Sequence, residues 1–162
     1  REGVDIDSLP KEQGWSPVIN LGTSVMIPET YVEDLGVRMS LYRRLADLKT
    51  QEETDQFAAE LIDRFGDLPH EVENLLNIAE IKQLCKKAGV SSVEAGPKGA
   101  VLAFNDNAPP NVEKLMGWIA EKRGVAKLRS DQKIALIRHW ETPEKRVKGV
   151  KNAMNELAAI AT

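Results

Sequence analysis

Apolar positions along this chain recur with two different periods, and the switches between them mark its elements. Val37, Leu41, Leu45 and Leu48 fall at i, i+4, i+8 and i+11 behind Asp34, a side chain suited to cap a helix. Thr50-Gln51-Glu52-Glu53 reads as a capping box for a second helix, in which Phe57, Leu61 and Phe65 repeat every four residues with Ala58 and Ile62 alongside, up to Gly66. Pro69 then sits in the first turn of a third helix ending near Gly89. This helix carries two apolar faces: Val72, Leu75, Leu76 and Ala79 early, then Ile78, Ile81, Leu84, Cys85 and Ala88 on roughly the opposite side. It is expected to lie between two layers.

Shorter apolar runs surround this helical stretch. Pro17 to Leu21 and Val25 to Pro28 read as extended segments, the latter ended by its proline. Val90 to Ala95 and Ala100 to Phe104 flank a Gly96-Pro97-Lys98-Gly99 turn, and Val125 to Leu128 and Lys133 to Ile137 flank Arg129 to Gln132, which makes two hairpins. Between them Pro110 to Arg123 is expected as a helix with Val112, Leu115, Met116, Ile119 and Ala120 inward. After Trp140, Thr142 caps and Pro143 starts a last helix with Val147, Val150, Met154, Leu157 and Ile160 buried. The expected class is α+β, with a mostly antiparallel sheet built from two hairpins plus an N-terminal strand, covered by about five helices.

Charge adds a division that periodicity does not show. Residues 29–80 carry 13 acids and 5 bases, a net of −8, whereas residues 81–162 carry 8 acids and 15 bases, a net of +7. Either the two halves are separate binding faces, or the segments interleave in space and cancel. At 162 residues the length predicts one domain. The chain begins at Arg1 without methionine, and residues 1–17 read as a linker from an upstream motor region, so an excised C-terminal fragment is expected, with 18–162 as a regulatory domain.

Chemistry-bearing patterns are sparse. The 96–99 turn lacks the spacing of a phosphate loop, two histidines and one cysteine make no zinc set, and the paired acids lie in first helical turns where capping explains them. No catalytic residue, metal or cofactor is expected, nor ATP hydrolysis by this chain. Cys85 reads as a small core hydrophobe, and a lone cysteine fits a reducing compartment. With no apolar run of membrane-spanning length, a cytoplasmic protein without membrane contact is expected.

One charged face stands out. Glu60, Asp63, Arg64 and Asp67 fall at i, i+3, i+4 and i+7 on a stripe beside the buried one. Glu60 and Arg64 suit an i,i+4 pair, and Arg64 suits the negative end of its helix. Asp63 opposes that dipole without local return, and a partner surface is one explanation.

The run Glu60-Leu61-Ile62-Asp63-Arg64-Phe65-Gly66-Asp67-Leu68-Pro69, with Tyr31-Val32-Glu33-Asp34, Arg38 to Ala46 and Leu75 to Ala79, resembles the C-terminal (TRCF) domain of bacterial transcription-repair coupling factors, the Mfd family. The resemblance spans roughly residues 18 to 160. It implies the non-catalytic end of an ATP-dependent DNA translocase that displaces stalled RNA polymerase and recruits UvrA. It also implies an autoinhibitory clamp that docks on a UvrB-like N-terminal module of the same protein and masks the surface UvrA needs. Glu60 and Asp63 match the acids that the family turns toward basic residues of that module, and Arg64 and Asp67 share their stripe. The alternative is a basic nucleic-acid-binding accessory module carried by the second half, for which aromatic side chains would supply stacking.

Overall fold

The structure, a computed structural model, describes residues 15–162. Of the expected linker, residues 1–14 lie outside the described residues. Five strands, β1 (Val18–Asn20), β2 (Val90–Gly96), β3 (Gly99–Phe104), β4 (Ala126–Leu128) and β5 (Ile134–Ile137), form one sheet in the order β1-β2-β3-β5-β4. Both hairpins are present, and among the described residues β1 is the one strand that pairs parallel, on β2. The helices are α1 (Leu35–Ala46), α2 (Gln51–Phe65), α3 (His70–Ala88), α4 (Val112–Glu121) and α5 (Pro143–Ile160). The α+β class with a mostly antiparallel sheet therefore holds.

The chain divides into two compact units where length predicted one, and residues 24–80 form an insertion between β1 and β2. A parallel neighbour needs a long crossover; here that crossover includes a helical unit with its own core. In it Ile27, Val32, Leu41, Phe57, Leu61, Val72 and Leu76 are buried together. The sheet unit, residues 16–23 and 81–162, buries Ile81, Val93, Leu102, Ile134, Val150 and Met154 almost completely. The two faces of α3 are explained by this division: Val72 and Leu76 serve the first unit, Ile81, Cys85 and Ala88 the second. The charge partition follows the same line, the acidic half falling in the helical unit and the basic half in the sheet unit.

Two expectations need correction. Ser24 to Pro28 joins no strand, because the backbone bonds of this segment go elsewhere: Ile27 donates its N–H to the Tyr42 hydroxyl, and the Pro28 carbonyl closes a turn on Tyr31 and Val32. In α4 only Leu115 and Trp118 are buried, while Val112, Met116 and Ala120 face outward and Ile119 is half-buried. The apolar stripe was read from the wrong centre. Trp118 sets the inward direction, with its indole N–H donating to Glu156 on α5 at 2.8 Å.

Helix ends follow the sequence closely. Asp34, Thr50, Asn111 and Thr142 each accept a backbone N–H three residues on. The Glu53 carboxylate reaches back to the Lys49 N–H, one residue before the cap.

Candidate docking site

The charged stripe of α2 is not uniform, because its neighbours take up half of it. Arg44, in the last turn of α1, grips Glu60 with both ends of its guanidinium at 2.7 Å, and Arg64 adds a third bond at 3.0 Å. Each arginine also lies over an aromatic ring, Arg44 on Phe57 and Arg64 on Phe65, both at 4.8 Å. The stack fixes the guanidinium planes for the carboxylate between them. Hydrogen bonds from Arg44 first and Arg64 second hold the Glu60 carboxyl down at about 2.

Asp63 is placed differently. It lies about 200° round the helix from Leu61, which is nearly opposite the core, and it is exposed with no hydrogen bond or ion pair among the described residues. Asp67 is exposed just beyond Gly66, the residue that ends α2 with φ 97°, a conformation costly for any side chain but glycine. Arg64 is exposed and engaged with Glu60. The structure thus brings Glu60 and Arg64 together, and leaves Asp63 and Asp67 as the anions open to a partner.

Two residues that position this face were missed. Tyr31 packs on Phe65 with ring centroids 5.7 Å apart and donates its hydroxyl to the Leu61 and Gly66 carbonyls at 3.1 and 2.8 Å, closing the end of α2. Burial and, second, the charge of Asp67 push the Tyr31 phenol up. Arg44 was the other. Its signal was the Arg43-Arg44 pair, but one-dimensional spacing does not say which of the two faces α2. Arg38 bonds the Val32 and Glu33 carbonyls, so the Tyr31-to-Asp34 and Arg38-to-Ala46 motifs build the scaffold under the acidic face.

In the basic half, Phe104, Trp118 and Trp140 are all buried and offer no stacking surface. Arg146 is buried as well, and Lys122 and Arg129 are paired with Glu156 and Asp131. Among the described residues no cluster of metal-ligating side chains occurs, and no helix is long and apolar enough to cross a membrane.

The TRCF domain family model matches residues 21–115. The chain is 39% identical over 132 residues to the transcription-repair-coupling factor of Rickettsia conorii, covering 82% of this chain and 12% of that protein, and 30% identical over 139 residues to that of Escherichia coli K12, covering 86% and 12%. A crystal structure of the C-terminal domain of transcription-repair coupling factor superposes with a TM-score of 0.73 at 19% identity, over 90% of this chain and 94% of that one. The chain spans about an eighth of the length of these curated relatives.

Proposed function

Because the chain belongs to the TRCF domain family of transcription-repair coupling factors, we propose that it is the autoinhibitory C-terminal domain of a longer protein, docking through the α2 face on a UvrB-like N-terminal module and masking the surface that UvrA needs. In this reading the upstream parent is an ATP-dependent DNA translocase acting on stalled RNA polymerase. The observation that carries the proposal is Asp63, an exposed carboxylate at the negative end of α2 with no ion-pair partner among the described residues.

The geometry ranks the acids. A basic side chain reaches Asp63 and Asp67 without competition, whereas at Glu60 it meets two arginines already bound. Glu60 therefore acts chiefly by offsetting one of the two positive charges of Arg44 and Arg64, which would otherwise repel a basic partner more strongly. Asp63 supplies the direct contact. Such an interface is weak between separate molecules, yet tethering raises its effective concentration to about the millimolar range, enough to hold a closed state that a competitor can open.

Titration of this chain with the separate N-terminal module tests the proposal. Asp63→Lys is expected to weaken binding at least tenfold, and more than Glu60→Gln does, with affinity falling as salt rises. Equal affinity for wild type and Asp63→Lys would overturn it.

A further inference from the structure

On α4 the apolar stripe is wider than the core uses. Beside the buried Leu115 and Trp118 runs a second flank of Val112, Met116 and Ile119, with Val112 57% and Met116 40% exposed, and Arg123 follows one turn beyond Ile119. Two more exposed apolar side chains belong to the adjoining strands, Ile137 at 56% and Leu128 at 48%. Ile119 and Ala120 from the end of α4, Arg123 from the turn after it, Ala126 and Lys127 from β4, and Ile137 from β5 line a hollow of about 350 Å³.

The strand at this hollow is the edge of the sheet. Val125 accepts the Ile137 N–H at 2.7 Å and Arg129 donates to Lys133 at 2.8 Å, so the odd-numbered residues turn their backbone groups toward β5. Alternation along an antiparallel pair then turns those of Ala126 and Leu128 to the open side. The Ala126 N–H is taken by the Lys122 carbonyl at 2.8 Å. The Ala126 carbonyl and both backbone groups of Leu128 are left for an added strand.

Charge chooses the occupant. Arg123 and Lys127 border the hollow, exposed and without an ion pair among the described residues. A second copy pairing edge to edge would set these cations against their own images, whereas acidic side chains would match them. We propose that the α4–β4 flank docks an extended acidic segment of a protein partner, which adds to β4 as a sixth strand. Its side chains alternate, one row facing the α4 flank and the other Ile137. This surface is distinct from the α2 face.

The test is selection of a random dodecapeptide display library on the whole 162-residue chain, followed by fluorescence anisotropy of the labelled winners. Enriched peptides are expected to alternate apolar residues with Asp or Glu. Leu128→Pro removes the outward N–H while leaving the β4–β5 bonds intact, since edge strands tolerate proline there; it is expected to weaken binding at least tenfold without altering the circular dichroism spectrum. Arg123→Glu with Lys127→Glu, both exposed, is expected to do the same and to reverse the salt dependence, since salt then screens repulsion. Failure to enrich such peptides, winners that bind as helices, or affinity unchanged in both variants would overturn the proposal, as would competition by oligonucleotide but not by acidic peptide.

Discussion

Replacing Arg146 by alanine strips a buried cation that makes no ion pair among the described residues. The residue is 8% exposed, and its guanidinium donates to four backbone carbonyls: Trp140 at 2.9 Å, Leu21 at 3.2 Å, Gly22 at 3.1 Å and Glu141 at 3.1 Å. These bonds tie the exit of β1 and the approach to α5 to one side chain. Each charge-assisted bond contributes about 1.5–3 kcal/mol, but burying the charge costs several kcal/mol in return, so the sum of four is not the expected loss. Truncation leaves the carbonyls short of donors and opens a cavity, for which about 3–5 kcal/mol is expected. Arg146→Met keeps the packed stem and should lose less, about 2–3 kcal/mol. Urea unfolding followed by tryptophan fluorescence reads this directly, because the Trp140 ring lies so close to Gly149, one turn along α5, that a Cβ there would overlap it. A loss below about 1 kcal/mol for Arg146→Ala would refute the reasoning, since it would mean that relief of desolvation cancels the carbonyl network.

Two further outcomes follow from the perturbed groups. Glu60 is depressed from an ordinary 4.5 to about 2, so its contribution is complete above pH 4.5 and is lost as pH falls toward 2. At 36% exposure that contribution is screened, and Glu60→Ala with Asp63→Ala should shift stability by less than about 1 kcal/mol. The urea-midpoint gap between wild type and Glu60→Gln is expected to close between pH 4.5 and 2; a gap that does not vary with pH would contradict the Arg44–Glu60–Arg64 bridge. Burial pushes the Cys85 thiol up to about 12 from 9, so its contribution is complete below pH 9 and is lost as pH rises from there to 12. At pH 8 the native thiol should resist an aromatic disulfide reagent and react only on unfolding, whereas reaction at the rate of a free cysteine would show that it is accessible.

Helices were legible from caps and periods because those signals are local. Asp34, Thr50 and Thr142 each accept one of the helical N–H groups that would otherwise go unsatisfied, and Gly66 supplies the positive φ that ends α2. Both hairpins were legible for the same reason. What failed was three-dimensional: α4 carries enough apolar residues for two faces, and only its partner α5, through Glu156 and Trp118, decides which is inward. The Val25-to-Pro28 segment has strand composition but joins no strand among the described residues, since Tyr42 from α1 takes the Ile27 N–H. At the candidate site the stripe itself was readable, but the capture of Glu60 by Arg44, sixteen residues away, was not. Arg146 shows the same limit, since a basic residue in an amphipathic helix reads as exposed until its carbonyl partners are known.

The proposed docking sets the acidic face of α2 against a basic surface within the same protein. Its most direct test is UvrA binding by the full-length parent, compared between wild type and the Glu60→Ala, Asp63→Ala double variant, with the folding of the variant checked by thermal melting. The account predicts at least tenfold tighter UvrA binding by the double variant and an unchanged melt of this domain. Unchanged UvrA affinity with the domain still folded would contradict it.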